Sequence, residues 1–105
     1  MYEYKAIVLK VVDGDTLDVE IDLGLDIRHK VRLRLFGINA AERFTDQGRE
    51  ASKRVAEKIG VATAVTVKTV KDKQEKYGRY LANITLADGT FLNEWMIQEG
   101  LASRA

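Results

Sequence analysis

The chain has 105 residues, 46% of them hydrophobic and 31% charged, which excludes a disordered polar tract and gives one domain with one modest core. It contains no cysteine, so disulfides and thiolate metal sites are excluded, and any metal would be held by oxygen with the one histidine as help. With 17 basic and 16 acidic residues the net charge is +1, so bulk charge says nothing for or against nucleic acid; only the placement of the charges can. No run is long and apolar enough to span a bilayer, and Met1 leads straight into strand-like residues without a signal segment. A cytoplasmic chain and a trimmed secreted one read alike, since a disulfide-free protein works in either compartment.

Residues 4–12 are β-branched and apolar enough for a long first strand. Asp13-Gly14-Asp15-Thr16 follows, and Asp-Gly between two strand-like runs is a strong hairpin signal. Thr16 to Leu23 alternates without a fault, with Leu17, Val19, Ile21 and Leu23 on one face and Thr16, Asp18, Glu20 and Asp22 on the other. Gly24-Leu25-Asp26 turns the chain, and Ile27 to Leu35 alternates again, with Arg28, Lys30, Arg32 and Arg34 on the polar face. Folding the two strands about that turn predicts a register: Asp22 faces Arg28, Glu20 faces Lys30, Asp18 faces Arg32 and Thr16 faces Arg34. Three acid–base pairs then line up as exposed ion pairs, which set register more than stability. Arg34 has no acid opposite it and lies beside Asp15, which marks it for an anionic ligand.

Beyond the strand lies a loop at 37–44, after which Thr45 or Asp46 caps a helix running to Ile59, stopped by Gly60. Ala51, Val55 and Ile59 give that helix a narrow core face. Ala62 to Val70 reads as a fourth strand, Lys71 to Lys76 as a charged loop, and Tyr77 to Leu86 as a fifth strand ended by Asp88-Gly89. Phe91 to Glu99 reads as a short helix with Trp95 as its core anchor, and His29 as structural. Residues 1–105 thus form a single α+β, mainly β domain. Three strands in a meander, a helix and two more strands is the order of a five-stranded OB-fold barrel with two helices, although a generic five-stranded roll would give the same pattern.

Three segments carry chemistry-bearing residues: Val11-Val12-Asp13-Gly14-Asp15-Thr16, Arg34-Leu35-Phe36-Gly37-Ile38-Asn39-Ala40-Ala41-Glu42, and Lys76-Tyr77-Gly78-Arg79-Tyr80-Leu81-Ala82. With Asp88-Gly89, Leu92-Asn93-Glu94 and Glu99-Gly100-Leu101-Ala102 after them, they resemble the staphylococcal nuclease (thermonuclease) family over nearly the whole chain. Each motif is weak alone; all three at these spacings are specific. The resemblance implies a calcium-dependent endo/exonuclease acting on DNA and RNA, single strands preferred, and leaving 3′-phosphate ends. It places Asp15 and Asn39 as metal ligands, Ala40 as a backbone carbonyl ligand and Asp13 as an outer-shell acid. It gives Glu42 the role of general base, Arg34 and Arg79 the grip on the scissile phosphate, and Lys76 and Tyr77 contact with another phosphate of the nucleotide.

The chain departs from that pattern in three places. Asn39 stands where the family usually has an acid, so calcium affinity is expected to be weakened rather than lost. Ala41 stands where the family commonly has proline, which should cost about 0.5–1 kcal/mol in ordering the loop that carries Glu42. The chain also reads as a short form without the tyrosines and C-terminal helix of larger members, and the flank left bare is where a homo-oligomer contact would form. The alternative is a catalytically weak or inactive nucleic-acid-binding OB-fold module, using Arg32, Lys71, Lys73, Tyr77 and Tyr80 as a basic, aromatic surface. Metal dependence separates the two, because such a module binds single strands without calcium and cuts nothing.

Overall fold

A computed structural model of the chain describes residues 3–42, 44–60, 63–74 and 79–105. Five long strands, β1 (Glu3–Asp13), β2 (Thr16–Asp22), β3 (Arg28–Leu35), β5 (Ala64–Gln74) and β6 (Tyr80–Leu86), close into a barrel in the order β1-β2-β3-β6-β5. All neighbours are antiparallel except β3 and β6, which run parallel through Leu33 to Leu35. With helices α1 (Asp46–Ile59) and α2 (Leu92–Gln98), this is the OB-fold arrangement expected from the order of elements. The alternation in β2 and β3 works as read: Leu17, Val19, Leu33 and Leu35 are fully buried inside the barrel with Val67 and Ile84. No helix among the described residues is long and apolar enough to cross a membrane.

The β2–β3 register is the predicted one, from Asp22 opposite Arg28 to Thr16 opposite Arg34. The ion pairs follow it only in part. Arg32 clasps Asp18 at 2.7 and 3.1 Å, whereas Arg28 reaches past Asp22 to Glu20 at 3.5 Å. Asp22 instead accepts from the Gly24 amide at 2.8 Å and shapes the turn. The hairpin tip projects beyond the core, so Leu23 and Ile27 are about half exposed and the core face ends at Ile21.

Four other expectations are corrected. The loop at 37–44 contains a short strand, β4 (Ile38–Ala40), which pairs with β7 (Ala102–Arg104). Two three-residue strands so far apart in sequence offer no periodicity to read. The fourth strand, expected at 62–70, begins at Ala64 and continues through 71–74, where a charged loop was expected. Pairing with β6 resumes after an irregularity at Gln74 opposite Tyr80, and main-chain pairing does not require apolar residues. The fifth strand begins at Tyr80 rather than Tyr77, which lies outside the described residues. Finally, Trp95 is not the anchor of α2; Leu92 and Met96, one turn apart, are fully buried. Trp95 is half-buried, with Arg54 and Lys58 over its ring at 5.9 and 5.8 Å.

Two local devices fix the parts that matter for the cleft. Thr45 caps α1 by accepting from the Gly48 amide at 2.9 Å, and Gly48, Ala51, Val55 and Ile59 form its buried face. Asn93 is 3% exposed and uses both ends of its amide. It accepts from Ile84 N at 3.1 Å and donates to Phe36 O at 3.0 Å and Ala82 O at 3.2 Å. One side chain thereby ties α2 to β6 and to the residue that follows β3.

Candidate active site

The β1–β2 turn brings the first carboxylates. β1 is irregular between Val8 and Lys10 and again between Val11 and Asp13, which bends its end away from regular pairing. At Gly14 the turn lies so close to the second layer that a Cβ would sit 2.9 Å from Ala40 Cβ and 3.1 Å from Ala51 Cβ. The absence of a side chain there lets the turn press against β4 and α1 and carry Asp15 inward.

Asp15 is buried, and its carboxylate is the centre of a polar network. Oδ1 accepts from Thr16 Oγ1 at 3.1 Å. Oδ2 accepts from Ala40 N at 3.1 Å and from Arg34 Nη2 at 3.5 Å. Arg34 also donates from Nη2 to Asn39 Oδ1 at 2.5 Å and from Nη1 to Leu35 O at 3.2 Å. Its side chain is only 19% exposed, a burial that an arginine tolerates when it is paired. The sequence left Arg34 without a partner across the strand; the structure gives it two on neighbouring elements. From the other side, Arg79 Nη1 donates to Thr16 Oγ1 at 3.1 Å. Arg79 and Arg34 are therefore both linked to Asp15, one through a hydroxyl and one directly.

Glu42 reaches the rim of the same cleft by a different route. Its carbonyl oxygen accepts from Thr45 N at 3.0 Å and Thr45 Oγ1 at 2.8 Å. Beneath it Gly48 comes so close that a Cβ would sit 1.6 Å from that oxygen. The backbone is held against the start of α1, while the carboxylate is exposed and makes no hydrogen bond among the described residues.

The cleft so formed measures ≈ 530 Å³ and is lined by Asp13, Asp15, Arg34, Asn39, Ala40, Glu42 and Arg79, every described residue that the sequence singled out for chemistry. Lys76 and Tyr77 lie outside the described residues. Thr16, Arg32 and Phe44 line it as well, together with Val12 and Ala41. Thr16 was legible in retrospect, because the register sets it opposite Arg34. Arg32, which the sequence offers both as the ion-pair partner of Asp18 and as part of a basic surface, is held by Asp18, whose hydrogen bond and charge keep its guanidinium above the ordinary arginine value, with Asp13 adding to the effect. His29 is exposed and absent from the cleft.

The donors in the cleft are all hard oxygens, and Asp13 Oδ1 is buried without a hydrogen-bond partner, the kind of orphan that a nearby cation would satisfy. Among the described residues, no three Asp, Glu or His side chains gather into a metal-holding group. A cation here would thus depend on amide and carbonyl oxygens as well as acids. The set fits a hard divalent ion, with fewer charges than a purely acidic cage.

The profile of the staphylococcal nuclease homologue family matches residues 32–105, and the chain belongs to that family. It is 33% identical over 95 residues to an uncharacterized endonuclease of Escherichia coli O157:H7, covering 90% of this chain and 57% of that protein. It is 30% identical over 108 residues to the micrococcal nuclease of Shigella flexneri, covering 95% and 58%, and 27% identical over 111 residues to endonuclease YhcR of Bacillus subtilis (strain 168), covering 95% and 9%. The chain therefore spans less than two thirds of the length of these relatives.

Proposed function

We propose that this chain is a calcium-dependent nuclease that hydrolyses phosphodiester bonds of DNA and RNA, single strands preferred, by endo and exo attack, leaving 3′-phosphate ends. The observation that carries the reading is the convergence of Arg34 and Arg79 on Asp15 in one cleft with Glu42 at its rim. Charge supports it too. The cleft sets Arg32, Arg34 and Arg79 against Asp13, Asp15 and Glu42, so a cation that offsets the acids would strengthen the hold of the arginines on a polyanion.

Asp15, Asn39 and the Ala40 carbonyl would hold calcium, with Asp13 behind them. Bound there, the ion would draw charge from a phosphate oxygen and make nearby water more acidic. Arg34 and Arg79 grip the non-bridging oxygens; guanidinium is planar and permanently charged, and Arg34 keeps N–H donors beyond the three bonds it makes here. Both arginines offset the extra negative charge of the five-coordinate transition state. The Glu42 carboxylate takes a proton from the attacking water as its oxygen bonds to phosphorus. The bond to the 5′ oxygen breaks, that oxygen takes up a proton from solvent water while Glu42 returns its own to solvent, and the phosphate stays on the 3′ side. Lys76 and Tyr77 contact another phosphate of the nucleotide.

The test is cleavage of a fluorescent single-stranded DNA across a calcium series from micromolar to tens of millimolar, with Arg79→Ala as the blank. Cutting that rises with calcium and disappears in the blank is the expected result. Binding without cutting at any calcium concentration would replace this reading with that of a nucleic-acid-binding module.

A further inference from the structure

We propose that Arg32, oriented by Asp18, is an anchor for the phosphate next to the scissile one, so that the cleft engages two successive phosphates of a polynucleotide. The proposal rests on the nuclease reading above and adds a site to it. Arg32 lines the same cleft as Arg34 and Arg79. It lies two positions before Arg34 on the outward face of β3. Alternate residues on a strand stand about 6.6–6.8 Å apart, a spacing comparable with that of successive phosphates along an extended single strand.

The way Arg32 is held matters as much as its place. Asp18 takes Nε at 2.7 Å and Nη2 at 3.1 Å, which fixes the plane of the guanidinium. Nη1 makes no hydrogen bond among the described residues, and the side chain is 50% exposed. A donor whose rotamer is already fixed loses little freedom when an anion arrives. Asp18, and Asp13 nearby, offset part of its charge, so Arg32 acts as a directed donor more than a general attractant. Past Arg32 the surface continues as a shallow groove over Lys10 and Lys30, a path by which the strand would leave the cleft. The sequence set two readings of Arg32 against each other, ion pair or ligand contact; the geometry allows one residue to do both.

Two measurements test this. The first is anisotropy of a fluorescein-labelled single-stranded oligonucleotide over a salt series in EDTA. Arg32→Gln should weaken binding about tenfold at low salt and flatten the slope of log K against log salt by about 0.7, the value of one phosphate contact on a single strand. Arg32→Lys keeps a cation but loses the bidentate clasp, and should retain most of the slope. An unchanged slope in Arg32→Gln, or a slope in Arg32→Lys as flat as in Arg32→Gln, would overturn the proposal and leave the Asp18 pair purely structural.

The second measurement compares cleavage of that oligonucleotide with cleavage of a nucleoside 5′-(p-nitrophenyl phosphate), which carries a single diester. In Arg32→Gln, kcat/KM should fall about tenfold further for the oligonucleotide than for the single diester, mainly through KM. Equal losses on both substrates would also sink the idea. Should the unsubstituted chain cut neither substrate, the nuclease reading fails, and the salt slope alone decides Arg32.

Discussion

Glu42 and Asn39 contribute to the cleft in opposite ways. The Glu42 carboxylate is exposed and makes no hydrogen bond among the described residues, so its replacement should leave folding untouched. Glu42→Ser is expected to keep the circular-dichroism spectrum and melting temperature while lowering cleavage by about 10²–10⁴-fold, read in a single-strand cutting assay. Asn39, by contrast, is bound tightly to Arg34, and its amide offers a metal dipole rather than charge. Asn39→Asp restores a carboxylate next to Asp15 and should tighten calcium binding in a calorimetric titration; an unchanged titration would remove Asn39 from the metal site. The sequence placed Arg34 beside Asp15 because alternation and a turn fix which residues share a face and which stand opposite. It did not reveal that Thr16 relays Arg79 to Asp15, since that bond depends on the barrel bringing residue 79 to the start of β2.

Among the elements, α1 reaches the chemistry without entering it. Thr45 and Gly48 hold the backbone of Glu42 from below, and the space at Gly48 is filled by that backbone. Gly48→Ala should therefore cost about 1–3 kcal/mol in urea unfolding, although alanine favours a helix, because the Cβ must displace the Glu42 carbonyl. Cleavage should fall in the same variant through a displaced Glu42. A gain in stability, as propensity alone predicts, would show that the loop moves aside freely. The cap and core face of α1 were legible, since both are local patterns of a few residues. The β4–β7 pair was not, because its partners lie on opposite sides of both helices and each strand spans only three residues.

For the molecule as a whole, barrel closure is the event on which the cleft depends, and Asn93 sits at that seam. Asn93→Ala would take a partner from the Ile84 amide and the Phe36 carbonyl and one of two from the Ala82 carbonyl, and should cost about 3 kcal/mol in equilibrium unfolding. The resemblance singled out Asn93 as part of a motif but gave it no task; the structure shows a cross-link between layers. The fold class was readable from element order because the OB-fold follows from a meander, a helix and a hairpin, whereas the extension of β5 past its charged residues was hidden by a composition that usually marks loops. The parallel β3–β6 seam is three residue pairs long, and it joins the strand bearing Arg34 to the strand that Arg79 precedes. Contacts between such distant parts of a chain carry a loop-closure cost that nearby contacts do not. A chain still emerging from synthesis, or one only partly folded, therefore has no paired arginines to present. Without that seam the barrel stays open, and the two arginines have no carboxylate in common.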